Sequence, residues 1–445
     1  MTAMPFPKKW IPILSFLTVA FVFWLFKPLL PVPTVTWEYP AQAGVGERAR
    51  IDAGTQEVVA QQEVVVQNTS TSVKEVAQTK DTQMEVVESE EERQKNLRVQ
   101  VFGPGTPQPV GYQYTKTLVV PRTMEEDTSW IIENFDESET IKHAIYTVDD
   151  LDSELHPPKN KGHEVMVYLS YIIDHYHNLS DVNIFMHSHR YAWHNNQLLD
   201  LDAVQMVSRL SSERVQREGY MNMRCSWDPG CPSWMHPGTV EEDINKQEET
   251  MLAKSWSELF PLDPIPYTLA QPCCAQFAIS RDRIRSLPLA RYVYYRDWLL
   301  RTSLSDYISG RVWEYVWQFV FTGQNIVCPK EHVCLCDGFG VCFGGEEEFN
   351  HYAQKNQERI SLEEELTAWN GANDAWNAEE ERNEPEENRI VKEAPEIGKD
   401  LELQGRINAL TAWCDAKKQM AKEHGDVAMN RAKEAGRPWK DGDGF

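Results

Sequence analysis

The sequence is poor in positive charge. Its 44 lysines and arginines stand against 68 aspartates and glutamates, which gives a formal net charge of -24 at pH 7. Proteins that bind nucleic acid neutralise its phosphates with clustered Lys and Arg, and no stretch of this chain is strongly basic. The composition therefore excludes nucleic acid as a partner.

Long apolar runs are also scarce, with one exception near the start. The run "WIPILSFLTVAFVFWLF", Trp10 to Phe26, carries no charge and follows Lys8 and Lys9. A bilayer span needs about 17–25 apolar residues, and a basic N-terminal flank favours a cytosolic N-terminus. We therefore predict a cytosolic segment over residues 1–9 and a transmembrane signal anchor over residues 10–30. A cleaved signal peptide is the alternative.

Such an anchor predicts a single-pass type II membrane protein of the Golgi or ER with a lumenal body. Large apolar residues are sparse over residues 31–115, and too little apolar surface is present to offset the entropy of ordering, so we predict a flexible stem. Asn68 and Asn178 lie in glycosylation triplets, which fit a lumenal glycoprotein. Residues 346–445 are acidic and predict a partly helical or disordered tail. The folded domain is therefore expected over residues 116–345.

Predicted strands and helices alternate at the start of this domain. The strands are "KTLVVPR", "HAIYTVDD" and "VNIFMHSH", and the helices between them are "TMEEDTSWIIENF" and "GHEVMVYLSYIIDHYHN". This alternation is typical of βαβ units. We therefore predict an α/β fold with a Rossmann-like parallel or mixed sheet. The second half contains the strand-like "CCAQFAIS" and two long helices, "RDRIRSLPLARYVYYRDWLLRT" and "GRVWEYVWQFVFTG", and is expected to cap the sheet.

The capping half is rich in cysteine. Eight of the nine cysteines of the chain lie there: Cys225, Cys231, Cys273, Cys274, Cys328, Cys334, Cys336 and Cys342. An even cluster in a lumenal domain predicts disulfides, although the sequence does not determine their pairing. The alternative is a zinc cluster in "CPKEHVCLCDGFGVC", because four thiolates can surround one ion. That stretch lacks the usual pair of C-x2-C knuckles.

Charged and imidazole side chains follow each of the three predicted strands. In a parallel sheet, ligands bind beyond the carboxyl ends of the strands, so these loops converge on one site. Carboxylates and imidazoles can hold a divalent ion, and arginines can pair with phosphate oxygens. We predict a metal site of Asp149, Asp150, His187 and His189, and ligand contacts from Arg122, Arg190 and His194. The alternatives are turn-forming aspartates and ordinary polar residues at a sheet edge.

Two further features complete the predicted site. The helix after the second strand begins at "NKGHE", where Asn160 can cap the helix and Gly162 lets a ligand approach the backbone, so we predict phosphate binding there. Glu314 lies in an aromatic helix and is either paired with a neighbour such as Arg311 or raised in pKa for general-base work. Glu314 is our candidate catalytic base.

Several of these stretches resemble a known family. The motifs "NKGHEVMVYLSYIIDHYHNLSDVNIFMHSHRYAWHN", "CCAQFAISRDRI" and "GRVWEYVWQFVF" are similar to those of the fungal proteins of domain-of-unknown-function family 3431, whose members often carry an N-terminal anchor. The resemblance spans roughly Lys116 to Cys342 and implies no activity. A more distant likeness is to GT-A glycosyltransferases, lumenal type II enzymes whose Asp-x-Asp motif holds a metal on the sugar-nucleotide diphosphate. Here "VDD" supplies adjacent aspartates, and His-x-His follows the third strand.

The likeness to GT-A enzymes implies a glycosyltransferase-like enzyme that uses a nucleotide sugar, a glycan acceptor and a Mn or Mg ion. The alternative is a non-catalytic glycan-binding or scaffold module on the same fold, since one fold serves many functions. A metal-dependent hydrolase is a third hypothesis. Binding of a nucleoside diphosphate with metal would separate the first hypothesis from the second, and tightly held zinc would favour the third.

Overall fold

The computed structural model of the protein describes residues 102–382, 385, 388–391 and 393–445. The predicted cytosolic segment and signal anchor, most of the predicted stem and Asn68 lie outside these residues. Within the described part of the chain, no helix combines the length and the apolar character needed to cross a bilayer. The described residues form an α/β domain and the helices that follow it.

A five-stranded mixed sheet organises the domain. Its strands are β1 (Lys116–Arg122), β2 (Ile141–Thr147), β3 (Val182–Phe185), β4 (Tyr220–Asn222) and β5 (Phe277–Ser280). Their order across the sheet is β2-β1-β3-β5-β4. The first three strands are parallel, whereas β5 runs antiparallel to both β3 and β4. The predicted α/β fold is confirmed. The sequence predicts either a parallel or a mixed sheet, and the sheet is mixed.

Helices cover both faces of this sheet and extend beyond it. Those of the α/β domain are α1 (Ser129–Phe135), α2 (Val165–His175), α3 (Ala203–Arg209), α4 (Ser212–Glu218), α5 (Glu249–Leu259), α6 (Arg281–Arg285), α7 (Leu289–Arg301), α8 (Asp306–Glu314), α9 (Trp317–Thr322) and α10 (Glu331–Phe339). The C-terminal helices are α11 (Glu346–Glu381), α12 (Lys399–Gly425) and α13 (Ala428–Glu434). Six of these helices, α5 to α10, lie in the capping half.

The two long helices predicted for the capping half are each broken into two. Proline cannot donate an intrahelical hydrogen bond, and Pro288 separates α6 from α7. The second break follows Glu314, whose main-chain oxygen accepts a hydrogen bond from Gln271 Nε2 at 2.5 Å. That carbonyl is thus engaged outside the helix. Both predictions of a single helix were wrong, and in the second case the reason is a tertiary contact.

Alternate side chains of the central strands enter two different cores. Val119 and Phe185 belong to the aromatic core on the α2 side, whereas Leu118 and Ile184 belong to the core on the opposite side. Helix α2 is buried throughout Val165–Ile172, since it packs between the sheet and α7. Side chains of a strand alternate between its two faces. By the same alternation, His187, two residues beyond Phe185, lies on the α2 side of the sheet.

Four disulfides tie the capping half together. They join Cys225 to Cys334, Cys231 to Cys328, Cys273 to Cys274 and Cys336 to Cys342. The predicted disulfides are confirmed, and the four cysteines of the candidate zinc cluster divide among three of them. The first two close long loops, with sequence separations of 109 and 97 residues. Constraints of that length restrict the unfolded chain most.

The acidic tail forms helices α11 to α13, and its C-terminal part contacts the α/β domain. Helices α11 and α12 pair through a small cluster of Leu362, Leu403 and Ile407. After α12 the chain returns to the domain, where Glu434 pairs with His332 at 3.3 Å and accepts a hydrogen bond from Gly344 N at 2.8 Å. The end of the tail therefore packs on the domain as part of one folded unit.

Candidate active site

Two imidazoles meet just beyond the carboxyl end of β3. His187 Nδ1 lies 2.9 Å from His194 Nε2, so the rings share a hydrogen bond. The main-chain N–H of His187 donates to Gln276 Oε1 at 3.1 Å, and Gln276 Nε2 donates to Asn195 Oδ1 at 3.0 Å. Gln276 therefore contacts both ends of the loop that carries His187 and His194. The sequence correctly placed His187 and His194 at this edge of the sheet.

Both histidines are neutral at physiological pH. Burial, reinforced by the neighbouring imidazoles, lowers the pKa of His187 to about 3. Burial, followed by the charge of Arg224, lowers the pKa of His194 to about 4. A neutral imidazole has one N–H donor and one acceptor nitrogen. After the shared hydrogen bond, one N–H and one acceptor nitrogen of the pair are left for a ligand.

His189 and Arg190 have partners away from this pair. His189 is exposed, and its Nε2 lies 3.8 Å from Glu126 Oε1. Arg190 makes a bidentate contact with Asp202, at 3.0 Å from Nε and 3.0 Å from Nη2. Asp202 also caps α3 by accepting from Val204 N. Arg190 thus supports the start of α3, and its predicted role as a phosphate contact would require that pair to open.

The two adjacent aspartates after β2 both accept hydrogen bonds from main-chain N–H groups. Asp149 Oδ1 accepts a hydrogen bond from Met124 N at 2.9 Å, and Asp150 Oδ1 accepts one from Asp152 N at 3.0 Å. Asp149 ties the loop after β2 to the loop after β1, and Asp150 forms the tight turn that aspartates favour. These contacts match the structural alternative noted for this pair.

The predicted four-residue metal site is not assembled. Among the described residues, the groups of three or more potential ligands within 4.8 Å of one another are Cys273–Cys274–Glu314 and Cys336–Cys342–Glu434. Neither group contains Asp149, Asp150, His187 or His189. Both aspartates accept hydrogen bonds from main-chain N–H groups, and the two histidines have different neighbours, His194 for His187 and Glu126 for His189. The cysteines of both groups are in disulfides, which offer no thiolate.

Arg122 has spare hydrogen-bonding capacity. Its Nη1 donates to Thr128 Oγ1 at 3.3 Å, while its buried Nε has no hydrogen-bond partner among the described residues. A buried donor without a partner is costly and rare in native proteins. Of the two predicted phosphate contacts, Arg122 is the one whose guanidinium retains an unused buried donor.

The start of α2 is occupied by a carboxylate from another helix. Asp306 Oδ1 accepts hydrogen bonds from Gly162 N at 2.5 Å and from His163 N at 3.3 Å. The helix begins at Val165, and Asn160 is exposed and does not cap it. Gly162 has φ +71, and an added Cβ would lie 2.8 Å from Leu299 Cδ1. Asp306 thus occupies the position where an anion would bind, and phosphate binding at Asn160 and Gly162 stays a prediction.

Glu164, the N-cap residue of α2, carries the most perturbed carboxyl of this region. Burial is the main cause that raises its pKa to about 8, and the charges of Glu314 and Asp306 add to it. One turn further on, the buried hydroxyl of Tyr168 has no hydrogen-bond partner among the described residues. Sequence reasoning missed Glu164, since an acid in "NKGHE" is ordinary at a helix start.

Glu314 lies at the end of α8, close to Glu164. Its Oε1 accepts a hydrogen bond from Cys274 N at 2.6 Å. Burial raises the pKa of Glu314 as well, although that hydrogen bond and the positive charge of Arg311 oppose the rise. Arg311 itself pairs with Glu248, with 2.8 Å between Nε and Oε2. Arg311 thus forms its ion pair with Glu248, and the role of Glu314 as a base stays a prediction.

The short segment from Cys273 to Gln276 joins the two halves of the site. Cys274 and Ala275 have positive φ, 87 and 47. Next to this bend, the N–H of Cys274 meets Glu314 while the side chain of Gln276 holds His187. The adjacent disulfide and the imidazole pair are thus coupled through three residues of chain. The whole arrangement is two neutral imidazoles and two desolvated carboxyls at one edge of the sheet.

Comparison with known proteins identifies the family. Residues 118–337 match the model of the family described as "Protein of unknown function (DUF3431)". No curated protein and no solved structure matches the chain. The matched range begins in β1 and ends in α10, so it includes every strand of the sheet and both halves of the site. Residues 118–337 of the chain belong to the DUF3431 family.

Proposed function

We propose that this protein is a lumenal, membrane-anchored glycosyltransferase-like enzyme that transfers a sugar from a nucleotide sugar to a glycan acceptor. The observation that carries the proposal is the desolvated carboxyl of Glu164 at the start of α2, which lies close to the second desolvated carboxyl, Glu314, and has a pKa of about 8. General acid–base catalysis is most effective when the pKa of the catalytic group lies near the working pH. Paired carboxyls with perturbed pKa values mark such sites.

The proposed reaction exchanges one bond for another. The bond between the anomeric carbon of the sugar and the diphosphate oxygen breaks, and a bond forms between that carbon and an acceptor oxygen. The acceptor hydroxyl gives its proton to the ionised form of Glu164. Burial raises the pKa of Glu164, the charge of Glu314 adds to the rise, and Glu314 is the alternative base.

The leaving diphosphate needs donors that neutralise its developing charge. Arg122 offers its partly exposed guanidinium, and the His187–His194 pair offers one N–H. Preorganised donors of this kind stabilise the transition state because they do not have to reorient. The predicted ligands of a Mn or Mg ion do not converge, so no step is assigned to the metal. Dependence on either ion stays a prediction.

Ligand-induced stabilisation of the full-length protein tests this proposal. Thermal unfolding is followed with a panel of nucleotide sugars and nucleoside diphosphates, each with and without Mn. A ligand present at 100 times its dissociation constant should stabilise the folded state by about 2.7 kcal/mol. The shift should be lost in Arg122→Ala and kept in Arg301→Ala, a matched control at the exposed end of α7.

The other two hypotheses are outcomes of the same experiment. Stabilisation by a glycan and by none of the nucleotides would favour the glycan-binding or scaffold module. Zinc that remains bound after purification, without any nucleotide shift, would favour the metal-dependent hydrolase. Either result would contradict the transferase.

A further inference from the structure

A second candidate ligand site lies between the C-terminal helices and the domain. It is a groove of about 500 Å³ formed by α11, α12 and the loop after α10. Ligand pockets in proteins commonly measure about 300–1,000 Å³ and combine aromatic walls with a few polar groups. No residue of the His–Glu site lines this groove.

Three aromatic side chains form the apolar wall of the groove. Tyr352 and Trp413 are nearly parallel, with 6.3 Å between ring centroids and 20° between ring planes. Phe343 packs against Tyr352 at 4.8 Å. Each of the three rings is partly exposed. The wall therefore presents flat apolar surface to solvent.

Polar groups of mixed charge surround this wall. Those lining the groove are Glu348, His351, Lys417, Glu423, His424 and Asn430. Lys417 is the one Lys or Arg among them and already lies over Trp413, with its Nζ 5.7 Å from the ring centroid. Two carboxylates against one ammonium disfavour a phosphate or any other anion. The many polar groups equally disfavour a purely apolar ligand.

The walls of the groove are held in place before any ligand binds. The Cys336–Cys342 disulfide fixes the loop that carries Phe343, and Cys342 N donates to Ala421 O of α12 at 2.9 Å. Burial raises the pKa of Tyr352 to about 12, so its hydroxyl stays protonated and can donate. A preformed site spends less binding free energy on ordering its own side chains.

We infer that this groove is a carbohydrate-binding site for a neutral oligosaccharide. A sugar ring has one apolar C–H face, which suits the Tyr352–Trp413 wall, and a rim of hydroxyls, which suits the surrounding donors and acceptors. The inference goes beyond the proposed transferase, since the groove is built from other elements and needs no catalysis. It assigns a role to the helical tail.

Titration of the full-length protein with neutral oligosaccharides tests the inference. The probes are N,N′-diacetylchitobiose, mannobiose and lactose, followed by tryptophan fluorescence and calorimetry. One of them should bind saturably, and Trp413→Ala should weaken that binding about tenfold or more. Trp369→Ala is the matched control, because Trp369 lies on α11 outside the groove, and it should bind as the wild type does.

A milder variant guards against misfolding of Trp413→Ala. Glu348→Ala removes one exposed polar side chain of the rim and should also weaken binding of the sugar without changing the unfolding temperature. No binding of any probe to the wild type, or equal binding by wild type and Trp413→Ala, would overturn the inference. Neither result bears on nucleotide-sugar binding, so the two proposals fail independently.

Discussion

Glu164 and Glu314 lie close together, although Glu164 comes from the start of α2 and Glu314 from the end of α8. Each is desolvated, and the charge of Glu314 helps to raise the pKa of Glu164 to about 8. A carboxyl with such a value is mostly protonated at neutral pH. This pair gives the site its acid–base character.

The raised pKa of Glu164 predicts a pH-dependent stability. Its folded pKa of about 8 exceeds the ordinary value of 4.5, so the native state binds the extra proton between these values. Stability from this group therefore falls as pH rises through that window, by up to about 1.4 kcal/mol per pH unit. In urea unfolding, Glu164→Gln should become more stable relative to wild type as pH increases. A difference that stays constant with pH would contradict the raised pKa.

The imidazole pair predicts the opposite dependence. The folded pKa values of about 3 for His187 and about 4 for His194 lie below the ordinary 6.5. The unfolded state therefore binds more protons below that value, and stability is lost as pH falls from 6.5 toward 4. His194→Gln should be less sensitive to acid than the wild type. His177→Gln, at an exposed position after α2, is the control and should follow the wild-type curve.

The contact of Asp306 with the start of α2 predicts a loss of stability on its removal. Asp306→Ala leaves the N–H groups of Gly162 and His163 without their acceptor. Loss of a comparable helix cap costs about 1 kcal/mol. Urea unfolding at pH 7 measures the change, and Asp152→Ala in the exposed loop after β2 serves as control. Equal loss in both variants would show that Asp306 has no special role.

The long-range disulfides predict a larger effect. The double variant Cys231→Ala/Cys328→Ala opens a loop with a sequence separation of 97 residues. Loops of this length contribute roughly 4–5 kcal/mol in the chain-entropy model. Cys414→Ala, which removes the free buried cysteine of α12, should cost less and is the control. Calorimetry under non-reducing conditions measures the loss of stability in both variants. A loss in the double variant no larger than that in Cys414→Ala would contradict the prediction.

The sheet and the edge that carries the candidate site could be predicted from sequence, because strands and helices leave local sequence patterns. Alternating strand and helix patterns predicted β1, β2 and β3, and the position of "HSH" after the third strand placed His187 at a carboxyl end. Disulfides were predictable from the even number of cysteines in the capping half. Their pairing depends on which loops meet in space, which no local pattern encodes.

The chemistry of the site was less predictable because it depends on distant residues. The pKa of Glu164 is raised by desolvation and by Glu314, which comes from a helix far along the chain. Asp306 lies on α8, as Glu314 does, and accepts a hydrogen bond from Gly162 N at the position predicted for a phosphate. The sequence predicts Asp149 and Asp150 as metal ligands, whereas in the structure Asp149 links two loops and Asp150 forms a turn. Residue type indicated the region, and tertiary contacts determined the roles.

Donor turnover is the measurement that tests the central claim most directly. Release of nucleoside diphosphate from a panel of nucleotide sugars is followed across pH 5 to 9 in the presence of a glycan acceptor, with and without Mn. The proteins compared are the wild type, Glu164→Gln and the control Glu154→Gln, which lies in an exposed loop. The account predicts turnover of at least one donor by wild type and control, rising with pH toward about 8. It also predicts roughly 100-fold lower turnover in Glu164→Gln. A Glu164→Gln variant as active as wild type, or a folded wild type that turns over no donor, would contradict it.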